Sequence, residues 1–122
     1  MTTLTEKGHA GGFILSEGDG NFSRDNITID ASVAVALAAG TVLGKITSSG
    51  NYVKYDNQAS DGSQAAAGVL LDAVEVTSAA QAAVAIVRTA EVNGDELVWP
   101  DGSPTDITAG VADLKAIGVI VR

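Results

Sequence analysis

The side chains that can do chemistry are few and scattered. His9 is the only histidine, set in a polar, glycine-containing N-terminal stretch. General-base catalysis needs an oriented, enclosed imidazole with a partner, and nothing near His9 in sequence supplies one. Glu17, Asp19 and Asn21 alternate around Gly18 and Gly20, and Asp25 follows. Alternating oxygen ligands on a glycine-rich turn suit calcium, but the bidentate glutamate of an EF-hand loop is absent, and a hydrophilic turn is expected. Asp56, Asn57 and Asp61 in the next polar stretch read the same way. Serines and threonines abound, yet there is no G-x-S-x-G elbow, no second histidine for a triad, and no P-loop or dinucleotide fingerprint. Neither catalysis, nor a metal, nor a cofactor is expected. Trp99, the single tryptophan, stands before Pro100. It suits a core position, a subunit contact or a stacking platform for a sugar.

The elements around these residues read as β scaffold. The chain has 122 residues, enough for one domain with a modest core. Hydrophobic residues make up 46% but aromatic ones only 4%, so the core must be built from small side chains. Such a core buries little area per residue, and self-association is expected to add stability. The net charge is −8, with seven basic residues spread along the chain. That argues against nucleic acid, whose affinity comes from clustered Lys and Arg, and against an anionic membrane. No apolar stretch approaches the ~20 residues of a spanning helix. There are no cysteines, so neither disulfides nor thiolate-bound zinc can contribute.

Met1 to Gly12 is expected to form a polar N-terminal arm, mobile when free. Met1 to Gly12 has one large apolar residue, Leu4, and no helical stripe; it cannot offset its ordering entropy alone. Phe13-Ile14-Leu15 is a sticky β-prone triplet inside the arm. Asn26 to Asp30 alternates and predicts a strand. Val33–Ala39 is expected to be extended or irregular. Thr41–Thr47 and Asn51–Tyr55 predict a hairpin across a Ser/Gly/Asn turn. Gly68–Val76 and Val84–Val92 predict strands covered on both faces. Asn93-Gly94 predicts a tight hairpin turn with Glu96–Trp99 as the returning strand. Pro100 to Pro104 ends that strand. Thr108 to Ala116 predicts a helix capped by Thr108, with Gly118 just beyond its end. Ile117–Val121 closes the chain as a strand. The fold class is therefore mainly β, with seven or eight short strands and one short helix.

The order of these features resembles the head decoration proteins of lambda-type bacteriophages. The likeness is carried by Phe13-Ile14-Leu15-Ser16-Glu17, by Ser23-Arg24-Asp25 with Ile27-Thr28-Ile29, and by Ala39-Gly40-Thr41-Val42-Leu43-Gly44 with Tyr52-Val53. It continues through Asp61-Gly62-Ser63, Ala67-Gly68-Val69-Leu70, Val87-Arg88, Ala90-Glu91-Val92, Leu97-Val98-Trp99-Pro100 and Leu114 to Arg122. The resemblance implies a small β-clip-like domain. It also implies a homotrimer that binds the major capsid protein on the outside of the expanded head, at three-fold positions, and fastens it. Synthesis in the host bacterial cytoplasm follows. In that family the N-terminal segment, disordered when free, orders on docking; by position the resemblance implies that Met1 to Asp25 is this capsid-binding arm and 26–122 the β-rich decoration domain. By position, the capsid-binding residues would be Leu4, Phe13, Ile14, Leu15, Ser16, Phe22, Ser23 and Arg24. Trp99 and Pro100, with the Val33–Ala39 run, are the candidate trimer contacts.

The residues support such a mechanism in their own terms. A flexible arm with a β-prone triplet can pair with an exposed sheet edge, where main-chain hydrogen bonds supply affinity. Two other readings stand beside it: a different structural virion protein, of tail tube or fibre, and a carbohydrate- or calcium-binding β module built on Trp99 or the Glu17–Asp25 loop.

Overall fold

The computed structural model describes residues 11–18, 22–100 and 102–122. Ten strands and one α-helix follow in the order β1 (Ile14–Glu17), β2 (Arg24–Ile29), β3 (Ala36–Leu37), β4 (Val42–Lys45), β5 (Tyr52–Lys54), β6 (Ala66–Leu70), β7 (Val74–Glu75), β8 (Gln81–Ile86), β9 (Ala90–Val92), α1 (Pro104–Ala116) and β10 (Val119–Val121). The fold is mainly β with a single helix, as the composition and alternation predict.

Five strands close into a barrel, β2-β5-β4-β6-β8. The expected hairpin is its centre: β4 and β5 pair antiparallel, Leu43 against Lys54 and Lys45 against Tyr52. Closure comes from β2, antiparallel to β8 along its full length and parallel to β5 at Ile29 and Tyr52. Successive residues send their side chains to opposite faces, and the two cores separate accordingly. Ile27, Ile29, Leu43, Tyr52, Leu70 and Ala85 share one cluster, which fills the barrel. Their sequence neighbours Val42, Val69 and Ile86 belong to a second cluster, with Phe13, Val92, Leu114 and Val119. That second core lies between the barrel wall, α1 and a three-stranded sheet, β1-β9-β10. At Gly44 a Cβ would sit 2.6 Å from the Cα of Ser63, so only glycine lets the 61–63 loop lie this close to β4.

The helix begins four residues earlier than expected. Ser103, not Thr108, is its N-cap, accepting a hydrogen bond from the Asp106 N–H, and Pro104 occupies the first turn. Proline has no N–H to leave unsatisfied there and its φ suits the helix, so it starts the helix as well as ending the segment before it. Thr108 Oγ1 instead donates to the Pro104 carbonyl within the helix. Gly118, at φ 89°, takes the left-handed position after the last turn, as predicted.

Asn93-Gly94 does not make the expected hairpin. Asn93 has φ −84° and caps a 3-10 turn, Gly94–Glu96, by accepting from the Asp95 N–H. Both sides of β9 are already taken, by β1 antiparallel and β10 parallel. The 96–99 segment is therefore diverted: Val98 bridges Thr41 in parallel, and its carbonyl accepts from Val42 N–H.

The expected arm also changes. Its described part, residues 11–18 and 22–25, belongs to the domain. Phe13 is 2% exposed and sits in the second core. Its carbonyl accepts from Asn93 N–H, and β1 pairs with β9 in the same subunit. Of the triplet, Phe13 buries itself against the nearest available sheet, Ile14 is half-buried and Leu15 stays exposed. Gly11 is already tied down, its N–H donating to the Leu71 carbonyl at 2.9 Å. Met1–Ala10, with Leu4 and His9, lies outside the described residues, as do Asp19, Gly20, Asn21 and Asp101.

Candidate docking surface

The surface that follows the N-terminal segment is built from β1 and the connection to β2. β1 is the outer strand of its sheet, so one backbone edge is unpaired among the described residues. The register of β1 against β9 slips between Ile14 and Ser16. Ile14 packs on the second core, whereas Leu15 is 55% exposed. Ser16 is exposed as well, so two consecutive side chains face outward, as a β-bulge at this step allows.

The connection to β2 is closed at its base twice. Arg24 grips Glu17 with two hydrogen bonds, Nε to Oε2 at 3.1 Å and Nη2 to Oε1 at 2.7 Å. The bond from Arg24 holds the Glu17 carboxyl below the usual carboxylate range. Glu17 in turn raises the Arg24 guanidinium. Above this pair, buried Ser23 accepts from Gly18 N–H at 2.8 Å. Phe22 then stands out at 59% exposure, its ring close to the Gly18 backbone. The Arg88 guanidinium lies 5.7 Å from the centre of the Phe22 ring, donates to the Phe22 carbonyl at 2.6 Å and pairs with Asp25 at 2.7 Å. A cation over an aromatic face contributes about 0.5–1 kcal/mol at an exposed site. Phe22 is thus exposed but held.

The predicted site residues therefore divide. Leu15 and Phe22 face solvent. Ser16 lies on the exposed part of β1. Arg24 is spent on Glu17. Phe13 and Ser23 are buried in their own subunit. Ile14 is half-buried against the core. Arg88, 66 residues downstream of Phe22, is the participant that sequence reasoning missed. No local pattern marks it, because the pairing of β2 with β8 is what brings it there.

Of the calcium candidates in this loop, Asp19 and Asn21 lie outside the described residues. Glu17 and Asp25 each hold an arginine, and among the described residues no group of three or more His, Cys, Asp or Glu is placed to share a metal ion. An open groove of about 550 Å³ is lined by Val53, Tyr55, Asp56, Asp61, Ser63 and Pro100. Its one serine–carboxylate pair is poor chemistry. Ser63 donates to Asp61 through both N–H and Oγ. Those bonds lower the Asp61 carboxyl, which weakens it as a base. Trp99 is engaged within its own subunit: its ring meets Tyr55 edge-on at 6.1 Å and 72°, and packs against Gly110 of α1.

Against known proteins, the family model described as bacteriophage lambda head decoration protein D matches residues 3–119. No match was found among curated proteins.

Proposed function

The chain belongs to the bacteriophage lambda head decoration protein D family, and from that premise we propose that it binds the major capsid protein as a homotrimer at three-fold positions outside the expanded head. The family is one of structural capsid proteins, not enzymes, and the match over nearly the whole chain is the observation that carries the reading. On this proposal the protein fastens neighbouring coat subunits against the pressure of the packaged genome.

On this proposal Met1–Ala10, including Leu4, binds the shell. Leu15, Ser16 and Phe22 extend the contact on the body itself. β1 supports this reading because it follows the segment closely in sequence and keeps an edge that is unpaired among the described residues. A strand added there gains main-chain hydrogen bonds. Ordering the segment costs about 1–2 kcal/mol per residue in backbone entropy, so one arm binds weakly. Three linked arms raise avidity by about 10²–10⁴. A ligand that recognises only the expanded shell stabilises it by mass action, with no energy source. The −8 charge keeps decorated particles from sticking to one another and to nucleic acid.

The test is negative-stain imaging of expanded shells mixed with the intact chain and with a chain lacking Met1–Ala10. Decoration by the intact chain and bare shells with the shortened one are expected. Full decoration by the shortened chain overturns the role of the segment, and no decoration by either overturns the capsid reading.

A further inference from the structure

The chain carries seven basic and fifteen acidic residues, yet its two longest runs without a charged side chain are residues 31–44 and 76–87. The fold brings these runs to one place. β3 lies in the first run, and β7 leads directly into the second. They pair antiparallel, Ala36 with Glu75 and Leu37 with Val74. Beside the ribbon runs a groove of about 430 Å³, lined by Ala36–Ala39 and Ala73–Glu75. Val35 stands 46% exposed at its end, and Ala34, Ala36, Ala38 and Ala73 are exposed as well. Beneath them Leu37 and Val76 are buried in the barrel core, so the face has a rigid floor. Glu75 is the one charged residue lining the groove.

We propose that this uncharged face, Val35–Ala39 with Ala73–Val74, is the contact between copies of the chain. The inference rests on the trimer reading above; it keeps the Val33–Ala39 run among the expected contacts and sets Ala73–Val74 beside it in place of Trp99 and Pro100. Charge decides the occupant. Two copies that each carry −8 repel through most of their surface. They approach at least Coulombic cost through the face that is poorest in charge, where Glu75 is the one charged residue lining the groove. A partner that recognised an acidic protein would instead use its carboxylates. Depletion of charge at the centre is also what separates protein interfaces from ordinary surface. The small aromatic content leaves each subunit with a core of modest side chains, and covering this face adds the apolar burial that the subunit lacks. β3 and β7 pair only with each other among the described residues, so the ribbon also has main-chain edges to offer a neighbour.

Sedimentation equilibrium of the intact chain, Val35→Asp and Ala73→Glu tests the face. A trimer is expected for the intact chain, and a threefold fall in mass for each variant. Far-UV circular dichroism and Trp99 emission should not change, since the ring packs inside its own subunit. Trimers in both variants overturn the face while leaving the trimer reading intact. A monomeric intact chain overturns both.

Should a variant fail to fold, Val35→Cys offers a second measurement, because the chain has no other thiol. Its maleimide labelling is expected to be at least tenfold slower in the trimer than after dilution to monomer. Equal rates overturn the proposal. So does protection that disappears on removal of Met1–Ala10 while the trimer persists, because that segment and not a second copy would then cover the groove.

Discussion

The hydroxyl of Ser23 donates to the carbonyl of Thr89 at 2.7 Å, joining residues 66 positions apart. The same carbonyl accepts from Gly18 N–H at 3.1 Å. Thr89 is a β-branched residue at φ 43°, a conformation such side chains rarely adopt. Ser23 thus ties the turn after β1, the start of β2 and the strained step between β8 and β9 into one node.

Ser23→Ala should lower stability by about 0.5–1.5 kcal/mol, because it removes the hydroxyl's hydrogen bonds while Gly18 N–H and the Thr89 carbonyl keep each other as partners. Urea unfolding monitored by circular dichroism measures this. An unchanged midpoint would mean that Thr89 is held by its other neighbours alone.

Phe13→Ala and Leu15→Ala separate body from docking surface. The first empties a core position and should cost about 3–5 kcal/mol. The second removes an exposed side chain and should stay within about 0.5 kcal/mol, while weakening attachment to shells. Thermal melts together with shell co-sedimentation read both effects. Equal melting losses would place Leu15 in the core.

Gly110→Ala reverses an ordinary rule. In an exposed helix the change gains about 1 kcal/mol. Here the new Cβ would collide with the Trp99 ring and sit 3.0 Å from Tyr55 Cε2. Overpacking costs about 1–3 kcal/mol, so the variant should be less stable than the parent and its Trp99 emission should shift. A stabilised variant with unchanged emission would show that the ring yields freely.

Asp30 accepts from Asn51 Nδ2 and Ser32 N–H, and these bonds, that of Asn51 foremost, lower its carboxyl to about 2. An unfolded aspartate titrates near pH 3.9. The stabilisation is therefore complete above about pH 4 and is lost as the pH falls toward 2. Melting temperatures of the parent and Asp30→Ala should differ most at pH 5 and converge by pH 2. A constant gap across that range would deny the carboxylate its part.

Much of this was readable from the chain. Alternation placed β2, and the paired apolar runs around Gly50 placed β4 and β5, because strand period and turn chemistry are local. The end of α1 was legible from Gly118. Its start was not, since Pro104 carries the same signal for leaving one element and entering another. Asn93-Gly94 failed for a tertiary reason: a hairpin turn is useless where both sides of β9 are occupied. Phe13 failed differently. Hydrophobicity says that a side chain will be buried, not in whose core, and only the pairing of β1 with β9 decides that. Arg88 and Phe22 meet because β2 and β8 are adjacent, a relation between distant segments that no short window of sequence contains.

The closed barrel has a consequence for crowding. A strand with neighbours on both sides cannot be zipped onto by a stranger, and the five barrel strands and β9 are in that position. Unpaired backbone is left on the short margins of β1, β10 and the β3–β7 ribbon. A chain built this way can accumulate to high local concentration with little danger of growing into fibres.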